Sequence, residues 1–171
     1  MDPEQLVLKR ISKIALAAMT ALLVIAIIFY KERVLFADTA YYAFNNLNYK
    51  PYFNPTNRYG AFITTIVPYL GRLLHLSLKT ILFCYAISFN LFFLSVNILL
   101  VYRFKQYGLA VLMAVYYFLF VSDSSFLLCA EIHEAIAWMF LFFAISFFLI
   151  CANISSFTRI LNPNEESETH M

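Results

Sequence analysis

The run Thr80–Tyr102 contains no charged side chain, and this limits the chain more than any other feature. A bilayer core about 30 Å thick is crossed by about 20 apolar residues in a helix. In lipid, backbone polar groups must be paired within the segment, so a run of this kind implies a helix. Three further runs recur along the chain, at about 11–30, 108–122 and 135–152. Composition agrees with the runs. Apolar residues make up 63% of the sequence and charged residues 13%, where a soluble domain carries about 45–50% and about 25%. A body of 171 residues cannot hide that much apolar side chain from water. The expectation is an all-α membrane protein with about four transmembrane helices, and the alternating pattern of a membrane barrel is absent.

The first run follows Lys9, Arg10 and Lys13, and the second ends at Arg103 and Lys105. Basic flanks of this kind place both ends in the cytoplasm. The chain therefore reads as a multi-pass protein of the cell membrane with a cytoplasmic amino terminus. No small-x-small cleavage site precedes Lys31, so the first run is read as an uncleaved span rather than a signal peptide. The third run is short for a span. The end of the chain, 153–171, is polar and acidic and reads as a disordered cytoplasmic tail.

Residues 31–79 form the first external loop. Its first part, KERVLFADTAYYAFNNLNYKPYFNPTNRYG, is rich in aromatics, Asn and Pro. Asn and Pro clusters break regular structure, and Tyr and Phe favour the headgroup layer. In 61–76, apolar residues at 62, 63, 66, 67, 70, 73 and 74 fall opposite Thr64, Thr65, Pro68, Arg72 and His75. This is helical periodicity with a polar face. The segment is short and charged, so it is expected to lie flat in the interface as an amphipathic helix, broken or kinked at Pro68.

Several functions are excluded. The basic residues are scattered and offer no surface for nucleic acid. Three glycines are too few for a phosphate-cradling loop. Cys84, Cys129 and Cys151 all sit in apolar runs and read as small buried hydrophobes.

The ionisable residues assigned to the external side carry the functional candidates. Asp38, within LFADTAYYAF, has apolar neighbours that would exclude water. A carboxylate there can act as a base toward a hydroxyl or hold a divalent cation through oxygen. Equally, Asp38 can be a helix amino cap before Thr39. Glu131 and Glu134, three apart, would share a helix face with His133 beside them. They read either as a carboxylate pair of a site or as a solvated helix start favoured by the dipole. Arg72 and His75 suit a phosphate headgroup or simply snorkel to the interface, and Arg58 is similar. Ser88, Asn90, Ser95 and Asn97, within the second span, read as hydrogen-bonding glue between helices.

This layout of a span, an external loop with an acid in FADTAYYAF, an interfacial helix and further spans resembles the front end of the GT-C superfamily of integral membrane glycosyltransferases. RYGAFITTIVPYL followed by LSLKTILFCYAISFNLFF is similar to bacterial membrane proteins of this general type. The resemblance implies transfer of a sugar from a polyprenyl-phosphate donor at the extracytoplasmic face. On that reading Asp38 and Glu131 are catalytic, with Asp38 activating the acceptor or holding a divalent cation. Arg58, Arg72 and His75 face the donor phosphate, and His133 and Glu134 lend support. Members often carry an acid pair in the loop, whereas Ala37 precedes Asp38 here. They also have eight or more spans, so four imply a fragment or a protein partner supplying further helices. The competing expectation is a non-enzymatic membrane subunit or assembly partner of a larger complex.

Overall fold

The structure, a computed structural model, describes residues 3–49, 52–53, 62–121 and 131–161. The described residues are helical, without strands: α1 (Pro3–Ile28), α2 (Tyr30–Val34), α3 (Ala37–Asn48), α4 (Phe62–Leu73), α5 (Leu78–Ile98), α6 (Tyr107–Phe120) and α7 (Glu131–Leu161). A π-helical turn, Leu99–Arg103, extends α5. Three segments are long and apolar enough to cross a membrane: Pro3–Ile28, Leu78–Arg103 and Ile132–Ile154. With 14 residues, α6 reaches about 21 Å, short of a hydrocarbon core.

Helix α5 is the centre. It packs against α1, α2, α4, α6 and α7. Ser77 opens it by accepting a hydrogen bond from the Thr80 backbone N–H at 3.2 Å, which satisfies one of the free donors of the first turn. Tyr85, Ala86, Phe89, Phe93 and Leu100 are fully enclosed. The Phe93 ring lies 5.0 Å from Phe89 and 5.0 Å from Tyr117 of α6, so aromatic contacts tie the two helices together.

Polar side chains fix the register. Asn97 donates to the Ala110 carbonyl of α6 at 2.9 Å. Asn90 donates to the Leu22 carbonyl of α1 at 3.4 Å. These are the interhelical bonds anticipated for the Asn residues of the second span, because a polar group facing hydrocarbon would go unpaired. The serines behave differently: Ser88 bonds the Tyr85 carbonyl of its own helix, and Ser95 is exposed.

Four expectations change. The segment after Lys31 is not irregular, since α2 and α3 occupy 30–34 and 37–48. Within α3 the asparagines are tolerated because each turns back onto its own helix. Asn45, Asn46 and Asn48 donate to the carbonyls of Tyr41, Tyr42 and Phe44. Helix α4 is not interrupted at Pro68; the ring is buried against the protein, which offsets the missing hydrogen bond. Helix α7 runs past Ala152 to Leu161, carrying apolar Ile154, Phe157, Ile160 and Leu161 onward at near-helical spacing. Of the tail only 162–171 lies outside the described residues. Lastly, Cys151 is exposed rather than buried, Cys84 is half-buried, and Cys129 lies outside the described residues.

The amphipathic faces are turned inside out relative to a soluble protein. In α4, Thr64, Thr65, Pro68 and Gly71 are buried, while Phe62, Leu70 and Leu73 point outward. The polar face that was expected to meet headgroups therefore meets protein at Thr64, Thr65 and Pro68, and only His75 beyond the helix end stays exposed. In α7 the inward residues are Glu134, Ala137, Phe140 and Ala144, while Phe142, Phe143, Phe147 and Ile150 face out. Water would penalise that surface at about 25 cal/mol per Å² of apolar area; hydrocarbon does not.

Candidate functional site

The helix pairing brings Arg33, His133 and Glu134 to one end of the bundle. The Tyr30 ring meets Phe83 edge-on at 5.4 Å, so the carboxyl end of α1 and the short α2 lie beside the amino end of α5. Helix α6 returns antiparallel to α5, bringing Tyr116 and Tyr117 to the same end. There Tyr116 OH and His133 Nδ1 are 2.5 Å apart, so α7 also starts there.

Two buried polar contacts mark this end. On α7, Glu134 is wholly inaccessible and its Oε1 accepts a 2.6 Å hydrogen bond from Thr64 Oγ1 of α4. The carboxyl thus joins two helices through the protein interior and is not part of a solvated helix start. On α2, Arg33 is 4% exposed and donates from Nη2 to Asn90 Oδ1 at 2.8 Å. Burial pulls the Arg33 guanidinium below its ordinary pKa, partly opposed by Tyr117 nearby. Guanidinium nevertheless stays protonated. Its Nε meets no acceptor among the described residues. Among the described residues the guanidinium's hydrogen-bond partner is the neutral Asn90 amide, so the cation is buried without a carboxylate beside it.

Sequence reasoning missed Arg33. It stands in KERV, four residues from Ala37 and outside every apolar run, where a solvated position is the simpler expectation. The available signal was Asn90 inside an otherwise apolar span, which needed a donor from somewhere.

Arg72 and His75 are brought together, as anticipated. They line a groove of about 580 Å³ whose walls include Phe44, Leu47, Leu76 and Ile81. Arg72 is pinned by donating to the Tyr49 carbonyl and lies 5.0 Å over the Tyr69 ring. His75 is held by the turn that ends α4. The His75 N–H bonds the Arg72 carbonyl and the Leu76 N–H bonds the Gly71 carbonyl, each at 3.0 Å. This paired pattern normally places glycine where His75 stands, because the residue there is left-handed. His75 has φ 53, a conformation unfavourable for a side-chain-bearing residue. Gly71 matters for another reason: a Cβ there would fall 2.6 Å from Ile81 Cγ1, so glycine is what allows α4 to close on α5.

Among the described residues, Asp38, His133 and Glu134 do not line this groove. Asp38 is exposed in the first turn of α3, whose cap position is Phe36. It is therefore not the cap, although a carboxylate in a first turn complements the helix dipole. Asn48, at the other end of α3, lines the groove, about 15 Å along the axis from Asp38. Arg58 and the Glu131 side chain lie outside the described residues. Asp38 alone offers too few oxygen ligands for a divalent cation, and among the described residues no three His, Cys, Asp or Glu side chains converge to hold one.

No protein-family model, curated protein or solved structure matches this chain.

Proposed function

We propose that this chain is a multi-pass membrane protein that crosses the bilayer four times, with α6 as the short third span and the amino terminus in the cytoplasm. At its external end it holds the phosphate of a lipid-linked substrate. The observation that carries this reading is the groove lined by Arg72 and His75 together with the apolar Phe44, Leu47, Leu76, Leu78 and Ile81. A guanidinium held in place by a backbone carbonyl is suited to phosphate, and the apolar walls suit a hydrocarbon chain. His75 supports the same reading, since a side chain kept where glycine would be easier marks a position held for its imidazole.

The fuller form of the proposal is a GT-C-like protein, or part of one, taking a sugar from a polyprenyl-phosphate donor. Arg72 and His75 grip the donor phosphate, with Arg58 from the same loop, and Asp38 serves as the base toward the acceptor. Glu131 and the buried pair Glu134–Thr64 support the outer end of the bundle. The separation of Asp38 from the groove favours a second reading, a non-enzymatic subunit that holds a lipid phosphate and presents its outward faces to partner helices.

Binding separates the two sides of the argument. With long-chain isoprenyl monophosphate as probe and the matching alcohol as reference, wild type prefers the phosphate. Arg72→Gln weakens phosphate binding by about tenfold or more, the scale of one charge-assisted hydrogen bond. His75→Gly weakens it while leaving the fold as stable or more so, because glycine suits φ 53. Equal binding of phosphate and alcohol, or no effect of either substitution, contradicts the groove assignment. Asp38→Asn then divides the readings: loss of sugar transfer with binding intact supports the enzyme, and retained transfer removes Asp38 from the chemistry.

A further inference from the structure

A second groove lies on the opposite flank of the α5 amino end and shares Leu78 with the first. Its volume is about 600 Å³, and its lining includes Tyr30, Lys31, Val34, Leu78, Lys79 and Leu82. The spacing explains the shape. Tyr30 and Val34 are four apart on α2, Leu78 and Leu82 are four apart on α5, and residues at that interval share a helix face. The groove is therefore an apolar cleft between two helices, and the Tyr30 ring on its wall is braced by Phe83.

Lys31 and Lys79, one from each helix, are its charged residues, and no acidic side chain lines it among the described residues. Both lysines are exposed. Neither ammonium meets a protein acceptor among the described residues, which contrasts with Arg72 and Arg33, each held by a hydrogen bond. Two ammonium groups lining an apolar cleft, Lys31 just past the carboxyl end of α1 and Lys79 in the first turn of α5, match a ligand with an anionic head and a hydrocarbon tail.

We propose that this cleft binds one acidic glycerophospholipid, with its phosphate between Lys31 and Lys79 and an acyl chain along Tyr30, Val34 and Leu82. The inference rests on the membrane reading but is independent of the phosphate grip at Arg72 and His75. The lipid joins α2 to α5 and so steadies the segment that carries buried Arg33.

The test uses the full chain in nanodiscs of equal parts phosphatidylcholine and phosphatidylglycerol, extracted gently and weighed intact by native mass spectrometry. Wild type is expected to retain one phosphatidylglycerol, preferred over phosphatidylcholine by about twenty-five-fold, or about fivefold for each lysine. Lys31→Gln with Lys79→Gln brings the preference close to one, and Lys79→Gln alone lowers it about fivefold. The paired arginine variant, Lys31→Arg with Lys79→Arg, keeps the preference. The double glutamine variant keeps the isoprenyl monophosphate preference of the first groove, which separates the two sites. The proposal is overturned if wild type retains both lipids equally or if the double glutamine variant keeps the preference. It is also overturned if free glycerol phosphate displaces the adduct as readily as added phosphatidylglycerol does, since the site would then be one for soluble phosphate.

Discussion

Helices α5 and α7 are both long and apolar enough to cross a bilayer, yet they occupy opposite environments. In an 18-residue apolar window of each, 61% of α5 is buried inside the protein against 17% of α7, with α1 close to α7 at 22%. The most buried of the three is also the least apolar. A soluble protein would reverse that order, because water drives apolar surface inward. Hydrocarbon would exert no such drive and would let position follow polar content and packing, which is the order seen here. Asn90 and Asn97 draw α5 to the centre by bonding α1 and α6. Helix α7 has Glu134 at one end and then a stripe of Ala137 and Ala144 that lets it approach the bundle on a narrow face.

The largest expected effect sets the two helices directly against each other. Phe93→Ala empties a fully buried position and should destabilise by about 3 kcal/mol. Phe142→Ala, 66% exposed, should change stability by about 0.5 kcal/mol or less. Reversible unfolding in mixed micelles measures both, and similar values for the two would erase the contrast.

Next comes the buried cation. Asn90→Leu removes the acceptor of Arg33 Nη2 and should lower stability by about 2 kcal/mol, within the range for a hydrogen bond to a charged group. Pairing it with Arg33→Met should recover much of that loss, since no unpartnered charge remains. A double variant as damaged as the sum of the singles would show that Arg33 and Asn90 do not act together.

A smaller effect tests the α4–α5 approach. Gly71→Ala forces its Cβ against the Ile81 side chain and should destabilise by about 1 kcal/mol, the low end for overpacking. Shortening the neighbour in Gly71→Ala with Ile81→Val should restore part of it. An unaffected single variant would mean that the two helices are free to separate.

The smallest effect is Asn97→Ala, expected at about 0.6 kcal/mol, the average for an interhelical hydrogen bond in a membrane protein. Thermal midpoints of the purified variants rank it. A loss larger than that of Phe93→Ala would make polar glue, rather than packing, the main support of the centre.

These outcomes bear on what the sequence made legible. The apolar runs announced helices of the right kind, because length and absence of charge are local properties. The roles of the runs were not local. Nothing in Ala135–Ala152 says that its aromatics face outward, and nothing in the second run says that it is central except its asparagines. The groove residues Arg72 and His75 were visible because they lie three apart in sequence, although α4 ends at Leu73 and His75 stands in the turn beyond it. Arg33 was not, since its burial depends on Asn90, far away in sequence. Asp38 was harder to place: its apolar neighbours suggested an enclosed setting, but Leu35, Phe36 and Tyr41 are exposed, as the carboxylate is. Likewise Pro68 looked like a break because its burial against the protein is a tertiary fact.

The account stands on the claim that apolar faces turn out to lipid while α5 occupies the interior. Spin labels introduced singly at Phe142 of α7 and Ala86 of α5, with the native cysteines replaced and the protein in bilayers, test it directly. Collision with oxygen reports hydrocarbon, collision with a water-soluble nickel chelate reports solvent, and a packed interior excludes both. The account predicts high oxygen and low nickel accessibility at Phe142, and low values of both at Ala86. Nickel accessibility at Phe142, or greater oxygen access at Ala86 than at Phe142, would contradict it.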